Sequence, residues 1–404
     1  MVQYQRPGAY VTETPPTPNA IAAADTSTTV FLSTAAGPTQ AAASLTTFEE
    51  FVRHIGAPDE PDQPLAQAVH AFFLNGGRQA LVLRVGDGSA PAGAAAYAAA
   101  LNDPAADIEQ AGLLVLPGCD CQTHKPITDA VTQTCARDGQ RMLLVDPPKD
   151  VVLTSQADIA TLALPASPFA ALYYPWVEMA NPLAPDAGSV SVAPSGAVAG
   201  IYARTEGDRG AWTSPAGWHA HLAGVTALTA AVTDTQQSLL NPAGINVLRS
   251  IPRLGPVVWG ARTLASSDPE YRYVPVRRLS ILLRRSLTAG LSWVVFEPNA
   301  EPLWQSVRAS VGAFLHALFG EGAFAGRTVD DAYFVQCGLG RTMTEADIQA
   351  GRLIVEIGFA PLKPAEFLIE RLVLRADPPP APRPVRRWHR FVPKLHRLWK
   401  SQRG

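Results

Sequence analysis

Hydrophobic positions along this chain follow two periods that take turns. Leu65, Ala68, Val69, Phe72 and Phe73 return every three or four residues, the spacing of one helix face, and Asn75-Gly76-Gly77 closes that stretch as a C-cap. Residues 79–85 (QALVLRV) follow as an apolar run of strand length. The exchange recurs. Residues 26–33 (TSTTVFLS) predict a strand, and Phe48, Phe51 and Val52 a short helix capped by Thr46 or Thr47. Helices are expected over 92–101, 126–137 and 196–204, the last capped by Ser195, and strands over 113–116, 142–145 and 169–177. Beyond Asn241 a second unit is predicted: strands 255–260, 291–297 and 333–337, helices 273–289 and 301–319, and two closing strands over 352–360 and 366–374.

Strands alternating with helices predict an α/β (α+β) protein of two mixed-sheet domains. The 404 residues fit that count at about 150 per domain. The expected divisions are an N-terminal arm (1–25), a first α/β domain (26–240), a second (241–374) and a tail (375–404). Pro7-Gly8 turns the arm into a short strand through Tyr10, Val11 and Thr12, which Pro15, Pro16 and Pro18 stop. A lone terminal strand leaves its backbone groups unpaired, so it must join a sheet, its own or a neighbour's.

Composition narrows the classes. With 47% hydrophobic and 17% charged residues the chain is globular, and 36 prolines, about 9% of it, disfavour a helical bundle. The net charge of -2 is unevenly spread: residues 383–404 hold eight Lys or Arg and no acid, which leaves 25 basic against 35 acidic residues, or -10, elsewhere. An acidic body argues against nucleic-acid binding, while the tail is basic. In it Val385, Trp388, Phe391, Leu395, Leu398 and Trp399 keep helical spacing among basic residues, with Pro393 as an interruption. Arg386, Arg387, Trp388, Arg390, Lys394 and Trp399 are therefore the candidate contacts to an anionic membrane or an assembly partner. Four cysteines make no disulfide framework, no apolar leader opens the chain, and no stretch reaches about 18 consecutive apolar residues. Synthesis in a reducing cytoplasm is the expectation.

Candidate chemistry is thin. Cys119, Cys121, His124 and Cys135 lie close in sequence, but Cys-x-Cys is not a zinc-knuckle spacing and no second pair follows. His219 and His221 bring no third ligand. Ser195 stands between alanines where a nucleophile elbow needs glycines. Asp146 ends a buried strand, where α/β enzymes place acids, and Glu297 ends the 293–299 run. No phosphate-cradling glycine motif is present. No catalytic residue, cofactor or metal is expected, and an α/β enzyme working at Asp146 or Glu297 is the rival reading.

Several stretches in one order resemble the sheath protein of contractile phage tails and related injection systems. They are PGAYVTE (7–13), FFLNGGRQALVLRV (72–85), YYPWV (173–177), PSGAVAGIYARTEGDRGAW (194–212), LLNPAGINVLR (239–249), VVWGARTLASSDPEYRYVPVRRL (257–279), WVVFEPN (293–299), LWQSVRASVGAFL (303–315) and GRLIVEIGFAPLKPAEFLI (351–369). The likeness spans roughly residues 4–374; the basic tail has no counterpart in it, and the middle lacks large surface insertions. The resemblance implies a non-enzymatic subunit that polymerises as stacked hexameric rings around an inner tube protein, with baseplate and terminator proteins at the ends. It implies contraction by rigid-body rotation of subunits about terminal linkers. Tyr10, Val11 and Thr12, and Phe367, Leu368 and Ile369, are the strands expected to pair between subunits. A baseplate or binding subunit of the same kind of particle is the alternative.

Overall fold

The apolar runs of the first two thirds of the chain assemble into one eight-stranded sheet in the computed structural model, which describes residues 19–34, 42–55, 63–86, 92–182, 188–362 and 368–377. Its strands are β1 (Thr29–Ser33), β2 (Ala43–Leu45), β3 (Ala80–Arg84), β4 (Leu113–Asp120), β5 (Met142–Asp146) and β6 (Ala170–Tyr174). After a small separate sheet of β7 (Val177–Ala180), β8 (Ser189–Val192) and β9 (Val225–Leu228), β10 (Ile245–Ile251) and β11 (Gly255–Val258) return to complete it. The order is β11-β10-β6-β5-β4-β1-β3-β2. The six inner strands run parallel, and β2 and β11 close the two sides antiparallel.

Parallel strands need cover on both faces. Phe31, Val82, Leu113, Val115, Leu144 and Tyr173 enter one core; Val30, Leu32, Leu81, Leu114, Leu143 and Leu172 enter the other. The first is roofed by the helices Pro64–Leu74 and Pro194–Arg209, the second by Ala94–Asn102 and Lys125–Asp138. Gly196 and Gly200, one helical turn apart, let the first pair touch backbone to backbone, since a Cβ on either would strike the Ala68 or Phe72 main chain.

The second unit is a three-stranded antiparallel sheet, β12 (Tyr333–Cys337), β13 (Arg352–Phe359) and β14 (Leu368–Arg375), packed against the helices Val274–Gly290 and Glu301–Gly320. Leu353, Val355, Ile357, Phe359, Leu368 and Leu372 face those helices. The stretch Val274–Phe296 is long and apolar enough to cross a membrane, yet here it is a core helix lying between the two units, and its residues enter both cores.

Three expectations are corrected. The run 169–177 is two strands, because Pro175 lacks the N–H to continue the ladder; β6 stops at Tyr174 and β7 starts another sheet. Residues 292–296 form a 3₁₀ turn instead of a strand, burying Leu291 and Val294 three positions apart and leaving Val295 and Phe296 exposed. The division near 241 falls inside the first unit: β10 pairs with β6 and β11 with β10, so that unit runs past Val258 and the second gathers around the helix from Val274.

Candidate assembly surface

The helix Val274–Gly290 carries four arginines at Arg277, Arg278, Arg284 and Arg285, and each binds a different part of the molecule. Arg278, 3% exposed, pairs with the Glu206 carboxylate and donates to the carbonyl and hydroxyl oxygens of Thr26, both at 3.2 Å. Glu206 in turn accepts from the Thr26 N–H at 2.9 Å and its hydroxyl at 2.8 Å. Arg285 donates to the Ala111 and Glu109 carbonyls. Arg277 lies between the rings of Tyr271 and Phe169, 3.3 and 4.2 Å from their centroids. Arg284 pairs with Glu370 of β14 at 2.6 Å. One helix thus ties the incoming chain, the large sheet and the last strand together.

The root of the N-terminal arm follows this helix. From Thr26 at Arg278, the Ala24 N–H donates to Ser286 Oγ at 2.9 Å, and Ile21 packs where a Cβ on Gly290 would come within 2.7 Å of it. Burial works to raise the Asp25 carboxyl, but hydrogen bonds from Thr28 and Ser27, with Arg285 nearby, outweigh it and hold the group below its ordinary value. The C-terminal exit is close by: Asp377 donates to the Glu297 carbonyl at 3.2 Å and accepts from the Asn299 N–H at 2.8 Å. Both ends of the described chain therefore leave near the C-terminal end of this helix.

Of the strand residues expected to pair between subunits, Tyr10, Val11, Thr12 and Phe367 lie outside the described residues, as do the tail positions Arg386, Arg387, Trp388, Arg390, Lys394 and Trp399. Leu368 and Ile369 open β14, which pairs along its whole length with β13 of the same chain. Leu368 is buried; Ile369 and Val373, each 57% exposed, face outward. β14 is an outer strand of its sheet: among the described residues no further strand pairs with its other side, and the isolated Pro298–Asp377 bridge lies just past its end. Such an edge is a template for another strand.

The residues singled out for chemistry lie in separate settings. Cys121 and Cys135 sit in the hydrophobic core, burial pushes the Cys121 thiol up to about 12, and Cys119 lies 3.6 Å from the Tyr97 hydroxyl. His124 accepts from the Asp120 N–H, His219 and His221 offer their carbonyls to Arg204, and Glu297 lies on the surface. Among the described residues no three His, Cys, Asp or Glu side chains converge as metal ligands. Ser195 is not the N-cap, which is Ala193; it lies inside the first turn and its hydroxyl donates to Asp146 at 2.6 Å. Asp146 also accepts the Ser195 N–H at 2.9 Å, so a carboxylate from β5 caps the helix from another element.

That buried cap gives a pH signature. Burial pushes the Asp146 carboxyl up to about 7 against the lowering effect of the Ser195 bonds. The folded state therefore binds this proton more tightly than the unfolded chain, whose aspartates titrate near about 3.9. The resulting stability is fully present below that value and is lost as pH rises through about 7, a change of up to about 4 kcal/mol. Thermal melts at pH 4 to 8 should show wild type losing stability relative to Asp146→Asn across that window. Parallel curves for the two proteins would overturn the assignment.

Comparison with known proteins places this geometry. Residues 90–264 match the family model for the phage tail sheath protein central domain, and residues 266–375 the phage tail sheath C-terminal domain. A tail sheath protein of Vibrio phage KVP40 is 28% identical over 122 residues, a match spanning 30% of this chain and 18% of that protein's length. The sheath of an extracellular contractile injection system, PVC, in its contracted state is 31% identical, covers 92% of this chain and 98% of its own, and superposes with a TM-score of 0.72. The contracted helical sheath of the anti-feeding prophage is 30% identical over 91% of this chain and 98% of its own, with a TM-score of 0.70. A sheath tail protein from Listeria innocua, 11% identical over 87% of this chain and 96% of its own with a TM-score of 0.61, shares the fold.

Proposed function

The chain belongs to the phage tail sheath family, and from that premise we propose that it is the structural subunit of a contractile sheath, which polymerises as stacked hexameric rings around an inner tube and contracts to drive that tube into a target membrane. The observation that carries this reading is the shared exit of both chain ends beside an antiparallel sheet with open edges. Strands sent from that corner add to neighbours' sheets by main-chain hydrogen bonds. Because such contacts run head to tail, they close rings or extend helices. Tyr10, Val11 and Thr12 supply the N-terminal strand. β14, entered through Phe367, Leu368 and Ile369, takes on a neighbour the seat it holds here on its own β13, as in domain swapping.

The partners follow in the same order: other copies of the chain, the inner tube protein, and baseplate and terminator proteins at the two ends. The basic tail docks through Arg386, Arg387, Trp388, Arg390, Lys394 and Trp399 to an assembly partner or an anionic membrane. The buried Arg278–Glu206 pair moves the hinge of the N-terminal arm outward, to positions before Ile21, and keeps the body rigid during contraction.

The test is deletion of residues 1–18. Negative-stain microscopy should show complete loss of tubular particles, while circular dichroism melts stay within a few degrees of wild type, since no described contact is removed. Normal tubes from the truncated chain would sink the strand-exchange reading.

A further inference from the structure

At the opposite, N-terminal end of the helix Val274–Gly290, two adjoining cavities of about 440 and 470 Å³ share Trp259 and Asn241 as walls. Tyr273 lines the first, with the Arg262 guanidinium 5.7 Å from its ring centroid. Asp234, Gln237 and Arg249 line the second, and Gln237 Nε2 donates to the Trp259 carbonyl at 3.3 Å. Trp218, 66% exposed, stands edge-on to Trp259 with centroids 6.0 Å apart and ring planes at 86°. Two perpendicular indoles and a tyrosine beside an amide-rich wall make the type of surface that takes a polyproline II segment. Proline rings stack on the aromatics, the wall meets the free backbone carbonyls, and the ligand is already extended.

The chain itself carries a proline-rich run. Residues 378–384 read PPPAPRP, directly after the last described residue, with Arg386 and Arg387 beyond. We propose that the Trp218–Trp259 cleft is the docking site for the Pro378–Pro384 segment of a second copy of the chain, an inference that rests on the reading of this protein as a polymer subunit.

Geometry excludes the cleft of the body on which β14 and Asp377 are seated. Asp377 is held at Glu297 and Asn299, beyond the C-terminal end of a 17-residue helix, while the cleft lies at that helix's N-terminal end. The two ends are about 25 Å apart at 1.5 Å per residue. At about 3.1 Å per residue, seven extended residues reach about 22 Å, short of that separation, so the segment cannot lie along the cleft of the body that seats its β14. It can cross to a neighbour. Asp234, whose side chain is 89% exposed while it pairs with Arg249 at 2.6 Å, stands at the cleft's rim to meet the arginines that follow the prolines.

The test uses the full chain with Pro378, Pro379, Pro380, Pro382 and Pro384 replaced by serine, which changes no described residue and leaves the cleft vacant. A fluorescein-labelled peptide of residues 377–387 is titrated into this dispersed protein and followed by anisotropy. Saturable binding is expected, weakened about thirtyfold by Trp218→Ala, as truncation of an anchoring tryptophan does. The same peptide with serines for prolines should not bind. No saturation, equal binding by Trp218→Ala, equal binding by the serine peptide, or tighter binding by a peptide of residues 13–20 would each overturn the proposal. The readout needs no tubes. Binding alongside an unaltered chain that never polymerises would count against the sheath reading alone, and tubes from the unaltered chain without peptide binding would count against the cleft alone.

Discussion

Replacing Arg278 with methionine should lower the unfolding free energy by about 3–5 kcal/mol, the cost of stranding one member of a buried ion pair. Both partners are withdrawn from water: Arg278 is 3% exposed and Glu206 14%. Without the guanidinium, Glu206 keeps the two donors of Thr26 and loses its counter-charge. The double change Arg278→Met with Glu206→Met should recover much of the stability, since an apolar pair of similar volume suits a buried site. It should not recover assembly, because the Thr26 N–H and hydroxyl then lose their acceptor and the arm is no longer aimed along the helix. Urea unfolding followed by tryptophan fluorescence reads the first effect, and electron microscopy of tubes the second. A loss below about 1 kcal/mol in the single variant, or normal tubes from the double variant, would show that the pair does not set the arm.

Much of the fold was legible in the sequence where periodicity is strong and local. The strand Tyr333–Cys337 matches its predicted bounds to the residue, and the helix Val274–Gly290 is displaced by one from its expected 273–289. Where the decisive contact is distant in sequence, pattern falls short. That β10 and β11 finish the first sheet depends on Ile245 lying beside Leu172, a pairing no local signal encodes. The short edge strands β2 and β8 are too brief to show a period.

The candidate site was legible only in part. Tyr10, Val11, Thr12, Phe367 and the basic tail lie outside the described residues, and the expected strand 366–374 is met by β14 at Leu368–Arg375. The arm's anchor could not be seen, because arginines on a helix read as its solvated face. Here Arg277, Arg278 and Arg285 are each less than a tenth exposed, since the incoming chain and the large sheet cover that side. Ser195 misled for a similar reason: cap residues are inferred from their own neighbours, and this helix is capped by Asp146, 49 positions earlier. Gly196 and Gly200 were signals that could have found the contact with Ala68 and Phe72, because glycines one turn apart inside a helix otherwise carry only a cost.

The largest effect on assembly should come from exchanging charges between Arg284 and Glu370. Glu370, 4% exposed, accepts from Arg284 at 2.6 Å and from the hydroxyls of Ser280 and of Tyr271, so it fastens β14 to the helix beneath it. Arg284→Glu sets two carboxylates together and Glu370→Arg two guanidiniums, each costing several kcal/mol at a site this buried. Either chain alone should make no tubes, and the double exchange should restore them in part. The decisive result is the mixture of the two single variants. If β14 stays on its own body, every subunit in the mixture keeps its clash and no tubes form. If β14 passes to a neighbour, the arginine-bearing strand of one variant meets the glutamate on the body of the other, and the reciprocal contact is the wild-type pair. Opposite charges then face each other at every junction of an alternating polymer. Tubes are therefore expected from the mixture and from neither component, scored by electron microscopy and by the fraction of protein in the high-speed pellet. A mixture as inert as its parts would assign β14 to its own subunit and leave the N-terminal arm as the strand that links one copy to the next.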